Sequence, residues 1–167
     1  IHPTHEAIVE GPDEIILTRA RTLPLSVEGL ELGPRSFAQT NARVAAALYE
    51  QAAAWASQPF ADGQAPESLW DLYCGVGGFA LACARAQSPE DAPDVIVVTP
   101  PRRGIGADLA AYLNECSAPR IIYSSCNPTT LAADLARMPS LRAVEGRLFD
   151  MFPHTTHAEV ALLLERA

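Results

Sequence analysis

Asp71-Leu72-Tyr73-Cys74-Gly75-Val76-Gly77-Gly78-Phe79 is the stretch on which the fold turns. A short apolar run from Ser68 to Tyr73 leads into it, and a helical pattern from about Phe79 to Ala86 leads out. It therefore reads as a strand, a glycine-rich turn and a helix start. Glycines at 75, 77 and 78 permit positive φ and close approach of backbone to a ligand, with helix N–H groups facing it. The same stretch also fits a tight strand–helix turn that binds nothing, and the glycines alone do not identify a ligand.

Outward from this point the chain alternates. Asp94–Val98 and Arg120–Ser124 are apolar strands without polar alternation, the pattern of strands buried on both faces. Helices are expected from Ala107 to Cys116 and from Thr129 to Arg137. Two last strands, about Leu141–Leu148 and Ala158–Leu164, have no helix between them and so should pair antiparallel. On the N-terminal side, Thr40 or Asn41 can cap a helix whose Val44, Leu48 and Trp55 share one face. Pro59, Asp62, Gly63 and Pro66 then make a loop. Before the helix the pattern is β: Ala7-Ile8-Val9 and Glu14–Thr18 flank the turn-forming Gly11-Pro12-Asp13, and Leu23–Leu32 supplies one or two short strands interrupted by Gly29. The reading is an α/β chain with a mostly parallel sheet ending in an antiparallel hairpin. Residues 1–35 form a small N-terminal β region and residues 36–167 the main domain.

One interval is too short. A dinucleotide-type fold follows its glycine loop and helix with a second strand ending in an acid that bonds the ribose hydroxyls. Here the helix runs into Gln87-Ser88-Pro89-Glu90-Asp91-Ala92-Pro93 and then directly into the next strand. At least one βα unit, on the order of 30 residues, is missing near residue 87. Either it is deleted, or a stretch of the protein is left out of this sequence. The second is preferred, because losing a central strand should break the sheet.

Composition bounds the rest. The 167 residues are 49% hydrophobic, enough for one domain with a real core. No apolar run nears the roughly 18 residues of a membrane span, and none resembles a signal peptide. Cys74, Cys83, Cys116 and Cys126 form no CxxC pair, so they are expected to be reduced thiols of a cytoplasmic protein. The net charge of −8, with 12 Arg and no Lys, argues against extensive gripping of phosphates. It permits the insertion of one nucleotide into a pocket.

Three segments carry chemistry. Thr99-Pro100-Pro101-Arg102-Arg103-Gly104 closes a buried strand at the sheet edge where α/β folds bind ligands, although two prolines also suit a rigid turn. Tyr123-Ser124-Ser125-Cys126-Asn127-Pro128 closes the next one. Cys74, Cys83 and Cys116 read as small buried hydrophobes, whereas Cys126 lies in a ligand-edge loop ahead of a helix N-terminus that can stabilise a thiolate. By position alone, nucleophile and structural thiol remain equally open for Cys126. His154-Thr155-Thr156-His157-Ala158-Glu159 offers two imidazoles and a carboxylate in a spacing that fits neither a helical HExxH nor a zinc finger. Glu159 is equally readable as a base or as a surface carboxylate.

Together these segments resemble the RNA uracil-5-methyltransferase family, the 5-methyluridine methyltransferases of bacterial large-subunit rRNA and tRNA. The matches are Ser36-Phe37-Ala38-Gln39-Thr40-Asn41, Asp71–Phe79, Pro100-Pro101-Arg102-Arg103-Gly104, Ser125-Cys126-Asn127-Pro128 and Phe149–Glu159, in the family's order. The Pro-Pro-Arg-Arg-Gly segment is closest to the 23S rRNA branch. The resemblance implies a Rossmann-like class I methyltransferase sheet, S-adenosylmethionine as cofactor, and 23S rRNA, or else tRNA, as partner. It implies no membrane and no obligate protein partner. It makes Cys126 the nucleophile and Glu159 the proton acceptor, with Gln39, Tyr73, Gly75, Gly77 and Thr99 in the cofactor site. The family has Asn where this chain has Thr99, and a hydroxyl cannot present an amide's donor and acceptor together. This branch also carries an N-terminal iron–sulfur module, a 4Fe–4S cluster held by Cys. No Cys precedes Cys74, so the sequence reads as part of a longer protein. Arg102 or Arg103 could contact a phosphate or the O4 enolate of the base, or be simply solvated. Amino-group methyltransferases carry Asn or Asp first and an aromatic last in the strand-end element, where Thr99 and Arg102 stand here. A non-catalytic RNA-binding domain is the reading from another class, and the Cys126–Glu159 pair weighs against it.

Overall fold

The computed structural model describes residues 8–9, 15–16, 23–24, 31–32, 41–74, 93–151, 153–155 and 157–167. Two short antiparallel ladders come first, β1 (Ile8–Val9) with β2 (Ile15–Ile16) and β3 (Leu23–Pro24) with β4 (Glu31–Leu32). The first joins two pairs of β-branched residues across a turn-forming segment, and the second joins Leu-Pro to Glu-Leu. Helix α1 (Ala42–Ser57) begins at Asn41, whose side-chain oxygen accepts a hydrogen bond from the Val44 N–H at 3.2 Å. Leu48 and Trp55 on its inner face are fully buried, with Ala45, Ala52 and Ala56 letting the helix approach closely.

The main sheet is built from β5 (Leu69–Leu72), β6 (Val95–Val98), β7 (Arg120–Ser125), β8 (Leu141–Phe149) and β9 (Glu159–Arg166), in the order β5-β6-β7-β9-β8. β5, β6 and β7 are parallel neighbours, and β9 is antiparallel to both β7 and β8. Four of the five strands thus run one way and only β9 is reversed, as the alternation of strands and helices implied. Helices α2 (Gly106–Glu115) and α3 (Pro128–Leu135) are the crossovers after β6 and β7.

Alternate residues of each buried strand serve two cores. Val95, Val97, Ile122, Ala161 and Leu163 pack with α1 and Met151. Ile96, Val98, Ile121, Tyr123 and Leu164 pack on the opposite face against Ala110 and Leu113 of α2 and Leu131 of α3. Each fully buried aliphatic side chain contributes about 1.5–3 kcal/mol, so these two layers dominate the stability of the sheet.

Buried charges lock the layers together. Arg120 donates to the carbonyls of Trp55 (3.0 Å) and Gln58 (2.6 Å) at the end of α1, pairs with Glu165 at 3.3 Å and lies 4.7 Å from the centroid of the Phe60 ring. Arg166 donates to the carbonyls of Leu113 and Asn114 and so satisfies the C-terminus of α2. Among the described residues, no helix is long and apolar enough to cross a membrane.

Two sequence expectations change. The sheet is continuous although the chain between β5 and β6 is short, because β5 pairs directly with β6 from Leu69↔Val95 to Leu72↔Val98. A βα unit inserted between them in sequence would add its strand outside β5, at the sheet edge, and its loss would not break the centre. Cys74, expected as a buried hydrophobe, is exposed, and Cys116 is half-buried. Cys74 lies past the end of β5. Cys83, Gly75, Gly77, Gln39 and the helix expected over 79–86 lie outside the described residues.

Candidate active site

Strand direction collects the site. Because β5, β6 and β7 are parallel, Leu72, Val98 and Ser125 end at one edge of the sheet. Because β9 is reversed, its first residue, Glu159, begins at that same edge. The last rung of the β7–β9 ladder is Ser125↔Val160, so Cys126, just past the end of β7, and Glu159, the first residue of β9, each lie one residue beyond it. Adjacent strands are about 5 Å apart. The two residues implied as nucleophile and base are therefore side by side.

Glu159 is buried at 5% exposure, which removes the reading of a surface carboxylate. Its face of β9 is shared with Ala161 and Leu163 and is covered by α1. Burial pushes its carboxyl above the ordinary value, and the Ser124 hydroxyl, donating to Oε1 at 2.5 Å, partly opposes that rise. Tyr49 of α1 packs on the same side. Burial raises its phenol, and the nearby carboxylates of Glu159 and Asp71 raise it further. Ser124 and Tyr49 were not expected from the sequence. The signal for Ser124 was its place two residues before Cys126, hence on the same strand face.

The Cys126 loop is held rigidly. Asn127 caps α3 by accepting from the Thr129 N–H at 3.1 Å, and Pro128 fills the first helical turn. Asn127 Nδ2 and Thr130 Oγ1 both donate to the Arg102 carbonyl, at 3.0 and 3.1 Å. The Pro-Pro-Arg-Arg-Gly turn is thereby clasped to the Cys126 loop. Its far end is fixed by Asp134, which accepts from the Ile105 N–H at 3.0 Å and from the Tyr123 hydroxyl at 2.8 Å. Gly104 has φ +80, and an added Cβ there would collide with Asp134 Oδ2. Cys126 itself is half-buried, while the side chains of Arg102 and Arg103 are exposed and free to meet solvent or a polyanion.

Of the expected cofactor residues, Tyr73 and Thr99 meet at the ends of β5 and β6. Thr99 Oγ1 donates to the Tyr73 carbonyl at 3.2 Å. Tyr73 has φ 64 and is 46% exposed, so its ring is presented beyond the strand end. With its proton given to Tyr73, the Thr99 hydroxyl can only accept, so a ligand group meeting it must be a donor. The ammonium, ribose hydroxyls and adenine amine of S-adenosylmethionine are all donors, and the described residues fit it. This pair lies two strand spacings, roughly 10 Å, from the Cys126–Glu159 pair. His154 (φ 67) and His157 are exposed on the loop before β9.

Comparison with known proteins gives a consistent result. A family model described as tRNA (Uracil-5-)-methyltransferase matches residues 90–167. The chain is 40% identical to the 23S rRNA (uracil(747)-C(5))-methyltransferase of Halothiobacillus neapolitanus, over 99% of this chain and 55% of that protein. It is 39% identical to the enzyme of the same name from Pectobacterium atrosepticum, over 100% of this chain and 54% of that protein. The chain thus spans about half the length of the curated relatives it matches. The first of these matches runs over 212 aligned positions against the chain's 167 residues, so at least 45 positions within it have no counterpart here. Among solved structures, a tRNA (uracil-54, C5)-methyltransferase of Pyrococcus abyssi in complex with S-adenosyl-L-homocysteine superposes with a TM-score of 0.74 at 25% identity, covering 87% of this chain and 44% of that one. A 16S rRNA N2 G1207 methyltransferase of T. thermophilus shares the fold, at a TM-score of 0.51 and 17% identity over 87% of this chain and 44% of that one.

Proposed function

We propose that this chain is an RNA uracil-5-methyltransferase that methylates C5 of a uridine in 23S rRNA, with Cys126 as nucleophile and Glu159 as proton acceptor, a reading supported by its similarity to that family. The observation that carries the proposal is the position of these two residues, each one step beyond the Ser125↔Val160 rung.

Uracil C5 is a weak nucleophile. Attack of the Cys126 thiolate on C6 forms a C–S bond and moves the C5=C6 electron pair toward C5 and O4, which makes C5 nucleophilic. S-adenosylmethionine, when bound, supplies an electrophilic methyl group, and Tyr73 and Thr99, with Gln39, Gly75 and Gly77, would hold it. After C5 is methylated it still carries its proton. Glu159 takes that proton, the freed pair re-forms C5=C6, and the C–S bond breaks to restore the thiolate. Burial suits Glu159 to this work, because a poorly solvated carboxylate is a stronger base. The target base has to leave its stack to reach the pocket. An acidic chain of net charge −8 would rely for this on the exposed Arg102 and Arg103 near the edge, in place of a broad basic face.

The test is transfer of labelled methyl groups to a 23S rRNA fragment and, in parallel, to tRNA transcripts. Label recovered as 5-methyluridine in the 23S fragment is expected, and label in tRNA alone would overturn the substrate. A second reading, RNA binding without methyl transfer, is favoured by the aligned positions that have no counterpart in this chain. Retention of the 23S fragment with no label transferred would establish that reading instead.

A further inference from the structure

We propose that Ser124 is a positioning residue for Glu159, holding one carboxylate oxygen so that the other receives the C5 proton. The inference rests on the reading of Glu159 as the proton acceptor. Ser124 is the next-to-last residue of β7 and is buried at 1% exposure, on the strand face covered by α1. The ladder sets Ser124 opposite Ala161, which puts its side chain on the same face as Glu159, diagonally across the two strands. The hydroxyl donates to Glu159 Oε1 at 2.5 Å, a short bond of the kind an ionised acceptor makes. A serine at a position flanked by the apolar core is costly unless its hydroxyl is satisfied, and Glu159 satisfies it.

The consequence is chemical. With Oε1 engaged, the carboxylate has one fixed rotamer and Oε2 is the oxygen available to take the proton. The proton passes from C5 to Oε2, the C5–H electron pair forms C5=C6, and the C6–S pair returns to Cys126. The hydroxyl also stabilises the ionised carboxylate, which has to be the resting form of a base, against the burial that disfavours it. The ionisable groups on the elements packed against Glu159 are Tyr49 of α1, whose phenol both Glu159 and Asp71 of β5 raise, and Cys126 just past the end of β7. A shift traced to Ser124 therefore has to be read against these titrations.

The experiment compares wild type, Ser124→Ala and Ser124→Thr in two assays. The first is adduct formation with RNA containing 5-fluorouridine, which needs the nucleophile and the methyl donor but no proton acceptor, because C5 carries fluorine. The second is release of tritium from C5 of 5-tritiated uridine RNA across pH. Ser124→Ala is expected to retain adduct formation, which also shows that the variant is folded. Its tritium release should slow about tenfold at neutral pH, with the acid limb moved up by about one pH unit, the equivalent of one hydrogen bond to a charged group. Ser124→Thr, which keeps the hydroxyl, should return the limb to its wild-type position. Superimposed limbs for all three proteins, or equal shifts in both variants, would overturn the proposal. Wild-type protein that forms no adduct would instead overturn the underlying reading of the site.

Discussion

Replacing Asp134 with Ala should destabilise the fold by about 3 kcal/mol. The carboxylate is 2% exposed on α3 and accepts from the Tyr123 hydroxyl at 2.8 Å and the Ile105 N–H at 3.0 Å. Its other oxygen pairs with Arg137 at 3.0 Å, where the arginine side chain is 50% exposed. Alanine leaves two buried donors without an acceptor, at about 1–3 kcal/mol each. Loss of the half-exposed ion pair adds less than about 1 kcal/mol, and relief of a buried charge offsets part of the total. The net of about 3 kcal/mol corresponds to a Tm lower by roughly 9 °C for a domain of this size. Urea denaturation of the full chain measures it directly. Tyr123→Phe removes one of the two orphaned donors, so it should cost only about 1 kcal/mol alone. Combined with Asp134→Ala it should recover about 1 kcal/mol relative to the sum of the single effects. A loss below about 1 kcal/mol in Asp134→Ala, or strict additivity in the double variant, would refute the reasoning.

Two further predictions concern pH. Burial raises the Asp94 carboxyl, but hydrogen bonds from the Glu67 and Ser68 amides and the Ser68 hydroxyl outweigh it and leave the group below its ordinary value of 3.8. The stability it contributes is present above pH 3.8 and lost as pH falls through the lowered folded value, so Asp94→Asn should flatten the acid limb of a denaturation profile. An unchanged limb would contradict this assignment. Glu159 has the opposite sign: its raised carboxyl favours the fold below its ordinary value of 4.5, and that advantage is lost as pH rises through the folded value. Glu159→Gln should therefore be more stable than wild type at neutral pH, with the gap closing toward pH 4, while methyl turnover falls by two or more orders of magnitude. A glutamine variant less stable than wild type at neutral pH would show that the ionised carboxylate is not a burden to the fold.

The strands of this protein were legible because their signal is local. Asp94–Val98 and Arg120–Ser124 read as doubly buried strands from runs of three or four adjacent apolar residues, and the observed strands Val95–Val98 and Arg120–Ser125 are buried throughout. Of the two caps the sequence offered for the first helix, Thr40 and Asn41, Asn41 makes the capping bond, whereas Asn127, which caps the helix after β7, was not singled out. The roles proposed for Cys126 and Glu159 rest on the motifs around them, since position left each of them open. What brings them together is an antiparallel register, and a register is set by pairing between strands far apart in the chain. Ser124 and Glu159 are 35 residues apart, and nothing local to either predicts their hydrogen bond. Asp134 and Arg120 were passed over for a related reason. Charged residues are expected at the surface, and only the carbonyls, amides and hydroxyl that meet them explain their burial. Cys74 erred in the other direction, because a thiol's usual preference for burial is a tendency of the residue type and carries no information about its place past the end of a strand. The inference of a broken sheet failed because strand order, which chain order does not reveal, puts β5 at an edge.

In the proposed reaction Cys126 attacks the base. Covalent trapping tests it most directly: RNA from the 23S fragment containing 5-fluorouridine is incubated with the protein and S-adenosylmethionine, and the product is resolved under denaturing conditions. A protein–RNA adduct that carries the transferred methyl group is expected with wild type and not with Cys126→Ala. An adduct that persists in Cys126→Ala, or no adduct under conditions where uridine RNA is methylated, would contradict that attack.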